Sequence, residues 1–154
     1  LSGKTGCGKS HVARRTFEQL QAWGVDMSLT QGWMSNRPYS FPFSTFVDWS
    51  ELAEADDNDD FEEALYWVTE AQIVILDDVG AESDRFKNGI NASRLRRLLS
   101  KCEHKWMLVT TNLTKPQFDE TYDVRVADRL TGAHWVDLQR IPSYRSNLKL
   151  RKME

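Results

Sequence analysis

The residues best able to do chemistry stand at the start of the sequence, in the run Gly3-Lys4-Thr5-Gly6-Cys7-Gly8-Lys9-Ser10. The run fits the pattern G-x-x-x-x-G-K-[ST] of a phosphate-binding P-loop. Glycines let the backbone turn with positive φ and bring its N–H groups close to a polyphosphate, because no Cβ stands in the way. A helix beginning near Lys9 would add the partial positive charge of its N-terminus. Lys9 would reach the β- and γ-phosphates and the Ser10 hydroxyl would ligate Mg²⁺, unless the run is a glycine-rich turn that fits by chance.

A second candidate is the acidic pair Asp77-Asp78, which directly follows the apolar run Ile73-Val74-Ile75-Leu76. A continuous β-branched and apolar run predicts a strand buried on both faces of a parallel sheet. A carboxylate at the carboxyl end of a central strand lies where Mg²⁺ is held opposite a P-loop. Many strands end in acidic turns, so the pair is informative because a P-loop precedes it.

Polar residues late in the chain could complete such a site. The run 106–110 predicts another buried strand, and Asn112 follows its end, where it could hold an attacking water or a γ-phosphate. Arg125 and Arg129 lie on a later helical segment, and Arg145 follows the last expected strand. This trio suits a ring ATPase, because an arginine supplied by a neighbouring subunit can neutralise charge on the transferring phosphoryl group.

The elements that must position these residues alternate between helices and strands. Ala13, Phe17 and Leu20 share one helical face, and we expect that helix to end at Gly24 and a short strand to follow over 25–30. Further helices are expected at 44–55, 61–71, 91–102 and, as one or two short pieces, 115–131; a last strand is expected at 134–138. This alternation predicts a three-layer α/β P-loop domain with a parallel sheet over residues 1–154.

Size, charge and cysteine content limit the class of protein to which this chain can belong. The chain has 154 residues, a net charge of −3 and a pI near 5.7, so any nucleic-acid surface must be a local patch. We find no apolar run of about 20 residues and no signal peptide, and Cys7 and Cys102 suggest reduced thiols of a cytoplasmic protein. Only two residues precede Gly3 and there is no initiator Met, so we expect the first strand to be missing from this sequence.

Two stretches leave alternatives open. The aromatic residues between Gln31 and Trp49, with Arg37 among them, could stack on unpaired bases or pack against the sheet edge. The basic residues of the 91–102 helix could form a solvated face or contact DNA or a neighbouring subunit; they are Arg94, Arg96, Arg97 and Lys101.

Five short motifs resemble, in order, those of the replication-initiator and helicase-loader clade of AAA+ proteins. They are Gly8-Lys9-Ser10-His11-Val12, the Walker B-like Ile75-Leu76-Asp77-Asp78-Val79-Gly80, the sensor 1-like Val109-Thr110-Thr111-Asn112-Leu113, the finger-helix-like Arg125-Val126-Ala127-Asp128-Arg129-Leu130, and Ser143-Tyr144-Arg145. The last is similar to the S-Y-R signature of the DnaC/IstB group, which contains helicase loaders and transposition helpers.

This resemblance implies a role for each candidate residue. It implies that Gly3 to Ser10, with His11 beside them, bind ATP and that Ser10 and Asp77 hold Mg²⁺. It implies that Asp78 is the general base and Asn112 a polar sensor. It also implies that Arg129 is a finger acting in trans, a role that Arg125 shares, and that Arg145 is a second sensor. Most AAA+ enzymes carry Glu where this chain has Asp78. Because Asp is one methylene shorter, the water must lie closer, and we expect slow, switch-like hydrolysis.

The function expected from the sequence is an ATP-hydrolysing replication factor that self-associates, binds single-stranded DNA and places a replicative helicase. The alternative within the same group is a transposition helper that targets a transposase to duplex DNA. The resemblance also implies an upstream partner-docking domain, which this sequence does not contain. A small P-loop kinase would need an arginine-rich lid and an acceptor pocket; Arg85 and Lys87 are present but no lid domain is evident. A non-hydrolysing binding module is disfavoured by the intact Lys9, Ser10, Asp77 and Asn112.

Overall fold

The computed structural model describes residues 1–30, 44–54, 58–80, 89–122, 124–130 and 132–144. Its elements, in chain order, are α1 (Lys9–Thr30), β1 (Ser44–Asp48), α2 (Trp49–Glu54), α3 (Asn58–Glu70), β2 (Ile73–Val79), α4 (Ile90–Lys101), β3 (Trp106–Thr111), α5 (Lys115–Thr121) and α6 (Val124–Arg129). Within these ranges, no helix combines the length and the apolar character needed to cross a bilayer.

The three strands form a parallel sheet in the order β1-β2-β3, with β2 in the centre. Ser2 extends this order, because it makes isolated parallel bridges to Thr111 at the end of β3 and to Asp137 on its other side. The P-loop begins at the next residue, where the Gly3 N–H donates to the Thr111 carbonyl at 3.2 Å. The loop therefore lies at the same edge as the carboxyl ends of β2 and β3.

Helices cover both faces of this sheet. Val74 and Leu76 of β2 belong to the main apolar cluster, which also contains buried residues of the helices α2 to α6. Ile75 lies between them in sequence and is equally buried, yet it lies outside that cluster, as alternation requires for a strand covered on both sides. Ala13 of α1 is also fully buried outside the cluster, which places α1 on the opposite face. The predicted three-layer α/β fold with a parallel sheet is confirmed.

The end of the first helix was predicted wrongly. α1 continues through Gly24 to Thr30, so residues 25–30 are helical and form no strand. A glycine inside a helix costs about 1 kcal/mol relative to alanine, which a helix already 15 residues long at that point absorbs without ending. The short apolar alternation over 25–30 was too brief to identify a strand.

The helix predicted for 44–55 is a strand followed by a shorter helix, β1 and α2. Thr45, Phe46 and Val47 are β-branched or aromatic residues, which favour a strand. Asp48 ends the strand and starts the helix, because its Oδ1 accepts hydrogen bonds from the Ser50 hydroxyl (2.9 Å) and the Glu51 N–H (3.3 Å).

The last predicted strand, 134–138, is reduced to the single bridge between Asp137 and Ser2, although the Val136 carbonyl also accepts from the Ser2 N–H at 2.9 Å. The remaining predicted elements form close to their expected positions as α3, β2, α4, β3 and the pair α5 and α6. α5 begins with a capping box, in which Thr114 and Gln117 satisfy each other's backbone N–H groups.

The two stretches with open alternatives are partly described. Phe46 packs against Phe17 with ring centroids 5.7 Å apart, and Trp49 is fully buried, so both serve packing. Residues 31–43, with Arg37, lie outside the described residues, as do residues 81–88, with Arg85 and Lys87. On α4, Arg97 forms a bidentate pair with Glu62 of α3 and lies over the Phe61 ring. Arg97 therefore joins two helices.

Candidate functional site

The residues before α1 form a loop that only glycine fits at several points. Gly6 and Gly8 have φ values of 84° and 98°, which L side chains rarely adopt. A Cβ on Gly3 would lie 2.8 Å from the Cys7 Sγ, so that position is closed by packing within the loop. The loop runs directly into the N-terminus of α1 at Lys9, where the first turn of a helix carries N–H groups without intrahelical partners.

Lys9 is the most deeply placed cation of this loop, with 4% of its surface exposed. Its ammonium donates to the Gly3 carbonyl at 2.7 Å, the Lys4 carbonyl at 3.1 Å and the Asn112 Oδ1 at 2.8 Å. Each of these acceptors is neutral, so the contacts orient the ammonium without cancelling its charge. A buried cation held in this way attracts an anion that enters the loop.

Asn112 connects the P-loop to the acidic pair. Its Oδ1 accepts from Lys9, and its Nδ2 donates to the Asp78 Oδ1 at 2.9 Å. The three side chains therefore form one hydrogen-bonded row across the ends of α1, β3 and β2. The sequence placed Asn112 at a strand end, and the structure shows that its amide spans the cation and the carboxylate.

The acidic pair occupies an irregular point of the sheet. β2 advances three residues from Leu76 to Val79, while its partner β3 advances only two, which makes a bulge in β2 that holds Asp77 and Asp78. Asp78 adopts a left-handed φ of 61°, a conformation that Asp tolerates better than most residues. The two acids therefore differ in backbone conformation and in their surroundings.

Thr110 of β3 holds this bulge through a fully buried hydroxyl. The hydroxyl donates to the Asp77 Oδ1 at 2.5 Å and accepts from the Asp78 N–H at 2.9 Å. Asp77 is itself buried. One side chain thus fixes both acids relative to the neighbouring strand.

The pKa of the Asp78 carboxyl is raised above its ordinary value, chiefly because burial disfavours its charged form. The charge of Asp77 raises it further and that of Asp48 also adds to it, while Lys9 and the hydrogen bond from Asn112 act in the opposite direction. A carboxylate with a raised pKa accepts a proton more readily than an exposed one, which suits a general base.

A cavity of about 650 Å³ opens beside this row, within the usual 300–1,000 Å³ of small-molecule sites. Its wall consists of Thr5, Gly6, Gly8, Lys9, Ser10, His11, Asp78, Asn112 and Tyr144. The structure therefore brings most of the P-loop, Asp78 and Asn112 together around one space. Asp77 lies behind that wall, on the side of Thr110.

Arg125 and Arg129 do not line this cavity. Arg125 and Arg129 lie on α6 with exposed side chains, and the Arg129 Nη1 donates to the Arg125 carbonyl at 2.9 Å. Arg145 lies outside the described residues, although its neighbour Tyr144 donates its N–H to the Gly6 carbonyl at 2.9 Å. The sequence did not single out Tyr144 as a site residue by itself, and only its place in the S-Y-R motif could have indicated it.

Asp48 and Thr110 were also missed as contributors to the site. Asp48 ends β1 next to Asp77 in the strand register, and its charge reaches Asp78. The sequence signal for Asp48 was hidden by a helix prediction across the same residues. Thr110 was placed in a strand and in the sensor 1-like motif without a role of its own, because its hydroxyl acquires that role through the pairing of β2 with β3.

The donor set fits a magnesium-bound triphosphate. Mg²⁺ is usually held by one or two protein oxygens together with phosphate oxygens and waters. The Ser10 hydroxyl and the Asp78 carboxylate line the cavity and supply such oxygens, whereas Asp77, the acid expected to hold Mg²⁺, is buried and does not line it. Within the described ranges no cluster of three or more metal-binding side chains forms a closed cage. A Cβ at Gly8 would meet nothing within 4 Å, which leaves open space beside the backbone of the loop.

Fold and site together define a three-layer α/β domain with a P-loop at the carboxyl edge of its parallel sheet. Among solved structures, the chain is similar to DnaA from Aquifex aeolicus bound to AMPPCP, with a TM-score of 0.64 and 14% sequence identity. The match covers 99% of this chain and 43% of the DnaA chain, so this chain spans less than half the length of that protein. At this identity the likeness shows the fold alone. Comparison with protein-family models and with curated proteins finds no match.

Proposed function

We propose that this chain is an ATP-binding and ATP-hydrolysing AAA+ module of a DNA-replication factor of the helicase-loader kind. The observation that carries the proposal is the row Lys9–Asn112–Asp78, with contacts of 2.8 and 2.9 Å, along the wall of the cavity beside the P-loop. A cation for phosphate, an amide for orientation and a carboxylate for a proton are the groups that phosphoryl transfer to water requires.

Each residue has a distinct task in this proposal. The backbone N–H groups of the loop and the Lys9 ammonium bind the phosphates, and the Asn112 amide orients the attacking water. Asp78 takes a proton from that water at its carboxylate. Ser10 and Asp77 would hold Mg²⁺, which when bound supplies positive charge beside the phosphates. Because Asp78 has a shorter side chain than Glu, we expect turnover to be slow.

The replication role is supported by the order of the five motifs along the sequence and by the DnaA-like fold. The exposed position of Arg129 on α6, away from the cavity of its own chain, suits a finger that completes a neighbouring site, with Arg125 beside it. Arg145 would contact the nucleotide within the same chain. The proposed partners are further copies of the chain, single-stranded DNA and a replicative helicase.

The test is an ATPase assay on the whole chain, titrated with single-stranded DNA and repeated over a range of protein concentrations. Turnover should rise with both, and Lys9→Ala should abolish it together with nucleotide binding. Lys115→Ala is a matched control, because this lysine is exposed on α5 and pairs with Asp119.

Three results would contradict the proposal in different ways. Turnover unaffected by DNA and by protein concentration would exclude a loader that assembles on DNA. Stimulation by duplex DNA alone would favour a transposition helper of the same fold. Transfer of phosphate to an added nucleoside acceptor would indicate a small kinase instead.

A further inference from the structure

Tyr144 combines an anchored backbone with an exposed ring at the candidate site. Its N–H donates to the Gly6 carbonyl at 2.9 Å, which fixes the residue to the P-loop, and 65% of its surface is exposed. It contributes to the wall of the 650 Å³ cavity together with Thr5 and His11. A large aromatic side chain held in place and left uncovered provides a flat apolar surface for a ligand.

The cavity wall contains two chemically different sets of residues. Gly6, Gly8, Lys9 and Ser10 present N–H groups, a cation and a hydroxyl, which bind phosphates. Tyr144 and His11 instead present aromatic rings, which a bare polyphosphate does not use. The volume of the cavity also exceeds what a short phosphate chain fills, so the site suits a ligand that joins phosphates to an aromatic group.

We propose that Tyr144 forms the aromatic wall of a nucleobase subsite, with His11 beside it, so that this cavity selects a nucleotide over inorganic polyphosphate. The inference rests on the proposed function, because it assumes that the phosphates occupy the P-loop. It goes beyond that function by assigning the recognition of the base to a residue outside the P-loop and outside α6. The ring acts by stacking, so its hydroxyl is dispensable.

Isothermal titration calorimetry with ADP and with inorganic pyrophosphate tests the inference, since the two ligands share a diphosphate and differ in the nucleoside. Tyr144→Ala should weaken ADP binding about tenfold and leave pyrophosphate binding unchanged, which is the range that base–aromatic stacking supplies. Tyr144→Phe keeps the ring and should retain the wild-type affinity for ADP. Trp106→Ala is the matched control, because Trp106 is 80% exposed at the opposite end of the sheet.

The outcomes separate the inference from the function on which it rests. Equal weakening of both ligands by Tyr144→Ala would show that Tyr144 supports the shape of the loop, and unchanged ADP binding would place the base elsewhere; either overturns the inference alone. A folded wild-type chain that binds neither ligand would overturn the proposed function and the inference with it.

Photolabelling gives a second readout that does not depend on a variant. An 8-azido-ADP probe carries its reactive group on the base, and trypsin releases the peptide 141–145, which contains Tyr144. Label should appear in that peptide and disappear when excess ADP competes. Label found only in other peptides would overturn the inference even if the chain binds ADP.

Discussion

At the scale of single residues, the hydroxyl of Thr110 contacts both acids of the candidate site. It joins Asp77 to the N–H of Asp78 across two strands, in a position without access to water. The same strand carries Asn112 one residue beyond its end, so Thr110 also relates the acids to the amide that contacts Lys9. The site is therefore held together by the pairing of β2 with β3.

Thr110→Val keeps the shape of the side chain and removes the hydroxyl. We expect it to lower the free energy of unfolding by about 1–3 kcal/mol, because it leaves a buried acceptor and a buried N–H unpaired. It should lower kcat for ATP more than it raises KM, since the P-loop is untouched while the acids lose their support. Urea unfolding and steady-state ATPase assays measure both effects. Thr110→Ser restores the hydroxyl and should recover activity; if Ser is as inactive as Val, the hydrogen bonds are not the cause.

Cys102 makes a pH-dependent contribution to the stability of the fold, which can be measured independently of any activity of the candidate site. Burial raises the pKa of its thiol to about 12, and the thiol donates to the Leu98 carbonyl at 3.5 Å. The folded state therefore keeps a proton that the unfolded state loses above its ordinary pKa near 9. Stability must then fall as the pH rises from about 9 towards 12.

Cys102→Ala removes this titration. The free energy of unfolding, measured in urea at about pH 8 and about pH 10.5, should decline less in the variant than in the wild type. Other groups contribute the same decline to both proteins, so the difference between them isolates the thiol. Equal declines would show that the thiol ionises in the folded protein as easily as in the unfolded one.

The part of the site that could be predicted consists of residues that lie close together in the sequence. The P-loop could be read from the sequence, because its geometry depends on a few neighbouring residues whose φ values glycine alone permits. Thr110 and Asp48 could not, because their roles depend on which residue of one strand lies beside which residue of the next. The bulge between Leu76 and Val79 shifts that register within the strand, and nothing in the local sequence specifies it.

At the scale of elements, the turn after β2 decides how the acids are presented. Gly80 has a φ of 88°, and a Cβ there would lie 2.6 Å from Leu113 Cδ1 and 3.0 Å from its Cγ. Gly89, before α4, has a similar φ of 68° with nothing within 4 Å of such a Cβ. The two glycines therefore share backbone strain and differ in packing.

Gly80→Ala and Gly89→Ala form a matched pair for this reason. We expect Gly89→Ala to destabilise the protein by about 1–2 kcal/mol through its left-handed backbone alone. Gly80→Ala should cost about 1–3 kcal/mol more, because Leu113 must also move, and it should slow ATP hydrolysis by displacing the bulge. Thermal unfolding and turnover give the comparison. Equal destabilisation would show that Leu113 adjusts freely, and full activity in Gly80→Ala would uncouple the turn from the acids.

Helices and strands were predicted correctly where the apolar pattern extends over many residues. The prediction failed where the pattern was short and local hydrogen bonds favoured a different structure. The stripe of α4 and the apolar run of β2 each commit many residues to one face or to both faces of the sheet. At Gly24 the hydrogen-bond ladder of a long helix outweighed the preference of one glycine. At Asp48 a capping carboxylate set a boundary inside the stretch 44–55, which was predicted as one helix.

At the scale of the whole molecule, the wall of the proposed hydrolytic site contains one lysine, and none of the described arginines lines it. Lys9 is committed to the loop, and Arg129 lies exposed on α6, apart from the cavity wall. A head-to-tail contact between copies would bring the α6 of one chain to the cavity of the next and could repeat into a ring or a filament. In such an assembly, a chain that lacks the finger and a chain that lacks the base could form one active site between them, although neither would be active alone.

Mixing two inactive variants tests this arrangement. Arg129→Ala keeps an intact cavity and lacks the finger, whereas Asp78→Asn keeps the finger and nucleotide binding and lacks the base. Each alone should hydrolyse ATP poorly, yet an equimolar mixture should recover up to about a quarter of wild-type turnover, because an Arg129→Ala cavity then meets an intact arginine at one interface in four. The recovery should grow with protein concentration, and Lys9→Ala mixed with Asp78→Asn is the control, since both lesions then lie in the cavity and no mixing repairs them. A mixture no more active than its components would show that Arg129 does not act across an interface.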